Sequence, residues 1–94
     1  MMLESSIERK VVAAANKMGV PSIKLTSMYS TGWPDRLFLL GDGRVLFIEF
    51  KRPGGKLTEK QRVMHEMLVE SGYRVEVHDY AAGALGSIKR LTFT

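Results

Sequence analysis

The stretch Gly32-Trp33-Pro34-Asp35-Arg36-Leu37-Phe38-Leu39-Leu40-Gly41-Asp42-Gly43-Arg44-Val45-Leu46-Phe47-Ile48-Glu49-Phe50-Lys51 holds two apolar runs around an Asp-Gly pair. Asp-Gly between two apolar runs is hairpin chemistry, because both turn residues can take positive φ at little cost. The first strand is therefore expected over Arg36–Leu40 and the second over Val45–Phe50. The second run is apolar on both faces until its end, as suits a central strand covered by helices. Side chains alternate across a strand, so Val45, Phe47, Glu49 and Lys51 share one face, and Leu46, Ile48 and Phe50 share the other. Two charges thus sit together at the end of a strand that otherwise reads as buried.

Working outward, Leu3 to Met18 places Ile7, Val11, Ala14 or Ala15 and Met18 at helical spacing, with Gly19 as the stop. Ser22 to Thr26 alternates weakly and reads as a short strand. After the hairpin, Arg52 to Thr58 is a Pro/Gly loop, and Thr58 with Gln61 has the spacing of a capping box opening a second helix. That helix is expected to run to about Ser71, with Met64, Met67, Leu68 and Ser71 inward and Gly72 ending it. Tyr73 to His78 alternates as a further strand. The tail from Ala81 to Thr94 is ambiguous between a glycine-containing helix and a helix with a short final strand. The expected fold class is α/β, a small mixed sheet flanked by helices in the order α-β-β-β-α-β.

At 94 residues the chain is read as one domain, burying about two-thirds of its unfolded surface. A composition of 45% hydrophobic and 26% charged residues is that of an ordinary globular protein. No apolar run approaches the roughly 20 residues that a bilayer requires, and the N-terminus lacks the order of a signal peptide, so a cytoplasmic protein without membrane contact is expected. The absence of cysteine removes disulfides, thiolate zinc sites and cysteine nucleophiles. A net charge of +4 favours a polyanionic partner.

If the hairpin pairs across its Asp-Gly turn, Asp35 falls beside Glu49 or Lys51. Proline before it restricts Trp33 to extended geometry, which sets the chain up to enter the strand. Two carboxylates held close repel unless a cation intervenes. Hard oxygen ligands suit Mg²⁺ or Mn²⁺, which bind through one or two carboxylates and leave positions for water and phosphate. With Lys51 beside them, the group points to metal-assisted phosphodiester hydrolysis as the reaction class. Lys51, Arg52, Lys56, Lys60 and Arg62, interrupted only by Glu59 among charged residues, form a basic strip suited to a nucleic-acid backbone. Met28, Tyr29 and Trp33 precede Asp35 and read either as base-stacking side chains or as core anchors. His65 and His78 bear no spacing relation to a metal motif and read as structural or exposed.

Pro34-Asp35, a spacer, and Glu49-Phe50-Lys51 together resemble the PD-(D/E)xK nuclease superfamily, and within it the VRR-NUC domain, the virus-type replication-repair nuclease. The resemblance runs from Glu4 to about His78. The helix opening with Glu4 and carrying Ile7, Val11 and Val12, the Gly32-Trp33-Pro34-Asp35 stretch, and Gln61 after Lys56-Leu57-Thr58 all match. It implies a restriction-endonuclease-like core, with metal held by Asp35, Glu49 and the backbone carbonyl of Phe50. Lys51 is implied as catalytic, with Glu4 and Gln61 in support. Glu8, one turn after Glu4, is the alternative helix carboxylate, and Gln61 reads equally as the capping residue. The resemblance further implies a Mg²⁺- or Mn²⁺-dependent endonuclease of branched DNA such as a four-way junction, acting as a homodimer without organic cofactor in a bacterial or phage-infected cell. A non-catalytic nucleic-acid-binding module on the same fold is the other reading.

Overall fold

A computed structural model describes residues 3–25 and 31–92. Its elements are α1 (Glu4–Lys17), β1 (Ser22–Lys24), β2 (Arg36–Gly41), β3 (Arg44–Phe50), α2 (Glu59–Glu70), β4 (Arg74–His78) and α3 (Ala81–Thr92). Thr26, Met28, Tyr29 and the last two residues of the tail lie outside the described residues.

The hairpin forms as its turn chemistry dictates. Gly41 pairs with Arg44, so Asp42 and Gly43 make a two-residue loop with φ of 54° and 74°, the double positive φ of a type I′ turn. A register shift between Leu39 and Gly41 bulges β2 there. The four strands form one sheet in the order β1-β2-β3-β4. The first three are antiparallel, while β3 and β4 are parallel. A parallel pair needs a crossover, and α2 supplies it. The sheet is therefore mixed, with the apolar strand β3 at its interior, as the sequence implies.

One face of the sheet carries the core. Ile7, Val11 and Ala15 of α1 recur every fourth residue and are essentially fully buried, against Phe38 and Leu40 of β2, Leu46, Ile48 and Phe50 of β3, and Ala84 and Ile88 of α3. Each of the larger of these, Ile, Val, Leu or Phe, contributes about 1.5–3 kcal/mol on burial. No α2 residue joins that cluster. Helix α2 lies on the opposite face, which bears Phe47 and Glu49.

Both α1 and α2 end in the same way. Gly19 N donates to Asn16 O and Val20 N to Ala15 O, and Gly72 N to Val69 O and Tyr73 N to Leu68 O. These are paired Schellman bonds closed by a left-handed glycine.

The tail, left open by the sequence, is a helix over Ala81–Thr92: Ala84, Ser87 and Ile88 are buried at helical spacing, and packing outweighs the low propensity of Gly83 and Gly86. One expectation is corrected. On α2 the inner positions are His65 and Leu68, whereas Met67 is 46% exposed and Ser71 faces solvent. The helix is rotated from the expected phase because His65, a polar residue that the apolar pattern ignores, is turned toward the sheet.

Candidate active site

The hairpin register sets Arg36 opposite Ile48, and one step further back Asp35 comes opposite Glu49. Backbone bonds fix that step: Leu25 N donates to Asp35 O at 2.9 Å, and Phe50 N donates to Asp35 Oδ2 at 2.8 Å. The strand-end amide that β2 leaves unpaired is thus taken by the aspartate carboxylate itself.

Glu49 is buried, with 3% of its surface exposed. Its Oε2 accepts from Gln61 Nε2 at 3.2 Å, and its Oε1 has no hydrogen-bond partner. Burial pushes the Glu49 carboxyl up. The charge and hydrogen bond of Asp35 add to this, as does the charge of Glu4, and Lys51 opposes it only in part, leaving the group at about 8. A carboxyl in this state holds a proton at neutral pH unless a cation replaces it.

Such a pair fits a hard divalent ion: two interacting carboxylates, with one Glu49 oxygen unpartnered and Asp35 held by the Phe50 amide. Among the described residues no three His, Asp or Glu side chains are arranged to hold a metal. An ion here would thus take two carboxylates and otherwise non-side-chain oxygens, the usual manner of Mg²⁺.

Gln61 forms the capping box and also contacts Glu49. Its Nε2 holds Glu49, while its Oε1 accepts from Thr58 N at 2.9 Å and its own N donates to Thr58 Oγ1 at 3.2 Å, completing the capping box.

A cleft of about 370 Å³ beside Asp35 is lined by Leu3, Glu4, Ser5, Glu8, Asp35 and Phe50. The two helix carboxylates differ sharply within it. Glu8 Oε2 is held by Lys24 Nζ at 2.6 Å and Arg36 Nε at 2.7 Å. Burial raises the Glu8 carboxyl, but those two cations outweigh it and hold it low. Glu4, on the first turn of α1, is exposed and has no ion pair among the described residues, so it is the carboxylate left open to the cleft.

The VRR-NUC domain model matches residues 3–81. The chain belongs to the VRR-NUC family. A phage protein, "Putative nuclease p44" of Acyrthosiphon pisum secondary endosymbiont phage 1, is 38% identical over 79 residues, covering 84% of this chain and 85% of its own length. This VRR-NUC chain is accordingly a nuclease-family domain, and Asp35, Glu49 and Gln61 converge within the matched region.

The remaining sequence candidates divide. Lys51 is half-buried at the end of β3, and Arg52, Lys56 and Lys60 are exposed with no side-chain hydrogen bond or ion pair among the described residues. Arg62 is engaged instead: its guanidinium pairs with Glu59 and, at 2.6 Å, with Glu66, both on its own helix. Its i+4 spacing to Glu66 predicts this. Trp33 packs toward Phe47, with ring centroids 6.4 Å apart, and Phe47 meets Tyr73 edge-on at 5.6 Å. Trp33 therefore anchors the loop before Asp35 to the sheet.

His78 fits its structural reading, pairing with Glu76 at 2.7 Å. His65 is 8% exposed, and its Nε2 lies 3.4 Å from Glu49 Oε1. Burial first, then the Lys51 charge, lowers the His65 imidazole below its ordinary range, with Asp35 opposing. The signal for this placement is present in the sequence: His65 follows Gln61 by one helical turn and so shares its face.

Proposed function

We propose that this VRR-NUC chain is a Mg²⁺- or Mn²⁺-dependent endonuclease that hydrolyses phosphodiester bonds in DNA. The observation that carries the reading is the buried Glu49 carboxyl pressed against Asp35, with Oε1 unpartnered and its proton held up to about 8. A site built only for ion pairing has no reason to maintain so costly an arrangement.

In this reading Asp35, Glu49 and the Phe50 carbonyl hold the ion, which supplies Lewis acidity toward the phosphodiester and a water of lowered pKa. Asp35 is oriented by the Phe50 amide, and Glu49 by Gln61. Lys51 faces the charge that develops on the phosphoryl oxygens. Glu4 extends the acidic side of the cleft, where it can orient water. Arg52, Lys56 and Lys60 bind the flanking phosphates without reading sequence.

The substrate is proposed to be branched DNA, a four-way junction in particular. Two copies of the chain related by a two-fold axis would place one centre on each strand to be cut. The place of action is the cytoplasm of a bacterial or phage-infected cell. Among the described residues no helix is long and apolar enough to cross a membrane. The name of the phage relative supports nuclease chemistry. The binding-only alternative leaves the two carboxylates unexplained, because they repel the phosphates that a binder must hold.

The test is cleavage of labelled four-way, flap, splayed and duplex DNA with Mn²⁺, by wild type, Asp35→Ala and Lys51→Ala. Metal-dependent cleavage abolished by Asp35→Ala and reduced by Lys51→Ala supports the reading. Salt-sensitive binding without products from wild type would leave only the binding module.

A further inference from the structure

Two buried polar atoms face each other in the site with no other partner. They are Glu49 Oε1 and His65 Nε2, 3.4 Å apart. Each loses its hydration on burial, and leaving either unpaired is costly. That both orphans occur at one contact makes a shared role more economical than two independent defects.

The geometry points to His65 as a positioning residue for Glu49: its Nε2–H closes on Oε1 while Gln61 holds Oε2, so that one face of α2 grips both oxygens of the carboxylate. This assignment rests on the nuclease reading above. The terminal torsion of a glutamate is broad and roughly two-fold, so a carboxylate held at one oxygen still swings. Held at both, its plane is fixed. About four lone-pair sites are available on the group; two would be taken by α2, leaving the others free for an ion. The present 3.4 Å is longer than a formed N–H···O bond of about 2.9 Å, and such contacts tighten in the loaded complex. Outer partners of this kind typically change metal affinity by about 10–100-fold.

The chemistry separates this role from simple packing. If His65 only fills space, His65→Leu removes a buried unpaired nitrogen and leaves metal uptake unchanged. If it positions Glu49, a donor of the right reach is required. Glutamine can place its Nε2 near that of the imidazole, whereas asparagine is one methylene shorter and falls short.

The experiment measures Mn²⁺ binding by electron paramagnetic resonance, together with the Mn²⁺ dependence of four-way-junction cleavage, for wild type, His65→Leu, His65→Gln and His65→Asn. Thermal unfolding of each checks the fold. The expected result is Mn²⁺ affinity weakened about 10–100-fold in His65→Leu and His65→Asn and largely restored in His65→Gln, with cleavage following. Wild-type affinity in folded His65→Leu would overturn the assignment. Should His65→Leu fail to fold, equal affinities in the glutamine and asparagine variants would overturn it as well. A wild type that binds no Mn²⁺ and cuts nothing would remove the nuclease reading itself, and this assignment with it.

Discussion

Gln61 Nε2 donates to Glu49 Oε2 at 3.2 Å while Oε1 of the same amide accepts from Thr58 N at 2.9 Å. One side chain thereby ties the first turn of α2 to the end of β3. The two bonds use opposite chemistries, a donor toward the site and an acceptor toward the cap, and substitutions can separate them. Gln61→Ala loses both. It is expected to cost about 1 kcal/mol of stability through the cap and about 10–100-fold in cleavage. Gln61→Glu keeps an acceptor for Thr58, so the helix start survives, but it sets a second carboxylate where Glu49 needs a donor. Cleavage should fall at least as far as in the alanine variant. Thermal unfolding and junction cleavage measured on both variants check the separation.

In the proposed metal-dependent reading, the Glu49 carboxyl at about 8 gives cation binding a defined pH dependence. A folded-state value above the ordinary 4.5 means that the native state binds this proton more tightly than the unfolded chain does. Its contribution to stability is full below about 4.5 and lost as pH rises through about 8. In metal-free protein, stability should therefore decline from this group as pH passes from about 5 to about 9. Cation binding requires the carboxylate and must expel the proton. Calorimetry in buffers of different ionisation enthalpy is expected to show roughly one proton released per Mn²⁺ near neutral pH, fading above about pH 9. Glu49→Gln should release none.

Glu76 has the opposite sign and lies on the other face of the sheet. Burial raises its carboxyl, but hydrogen bonds from Ser87, His78 and Arg74 outweigh this and bring it to about 2. The stability it contributes is present above about 4.5 and is lost as pH falls toward about 2. Glu76→Gln is expected to cost about 1–2 kcal/mol at neutral pH, discounted for solvent screening. The loss should shrink in acid, because below about 4.5 the unfolded chain takes up the proton that the native Glu76 still excludes, and the advantage of the ionised native group falls away. Urea unfolding at pH 7 and pH 3 measures the difference. Cleavage at neutral pH should be unchanged in the folded variant.

The parts of this molecule that were legible in the sequence are those specified locally. Asp42-Gly43 dictates the hairpin, Gly19 and Gly72 the helix ends, and Thr58 with Gln61 the capping box. Alternation along β3, together with the hairpin, brings Asp35 and Glu49 to one place without any long-range information. What local pattern leaves open is settled by partners on other elements. Glu8 is separated from Glu4 by Lys24 and Arg36, which no helical spacing reveals. Helix α3 reads weakly because Gly83 lowers its propensity, yet a Cβ at Gly83 would come within 2.7 Å of the Tyr80 ring. His65 looks like a surface residue until the crossover lays α2 over Glu49.

Gly32 sets the distance between the two halves of the site. Its φ is +91°, and a Cβ there would lie 2.6 Å from the carbonyl oxygen of Lys60 and 2.9 Å from its carbon. Both are backbone atoms in the first turn of α2, so no side chain can swing aside. Asp35 is three residues after Gly32, and Gln61 directly follows Lys60. A methyl group at position 32 must therefore push the loop bearing Asp35 away from the helix that holds Glu49. Gly32→Ala should lose about 1 kcal/mol for the left-handed backbone and about 1–3 kcal/mol more for the overlap. Gly43→Ala is the matched control: its φ is +74° with nothing within 4 Å of the added Cβ, so only the conformational cost applies. Measured well below both unfolding midpoints, Gly43→Ala should cleave like wild type. Gly32→Ala should lose activity out of proportion to its unfolded fraction. Equal cleavage by the two folded variants would mean that the approach of the Asp35 loop to α2 does not govern the geometry of the Asp35–Glu49 pair.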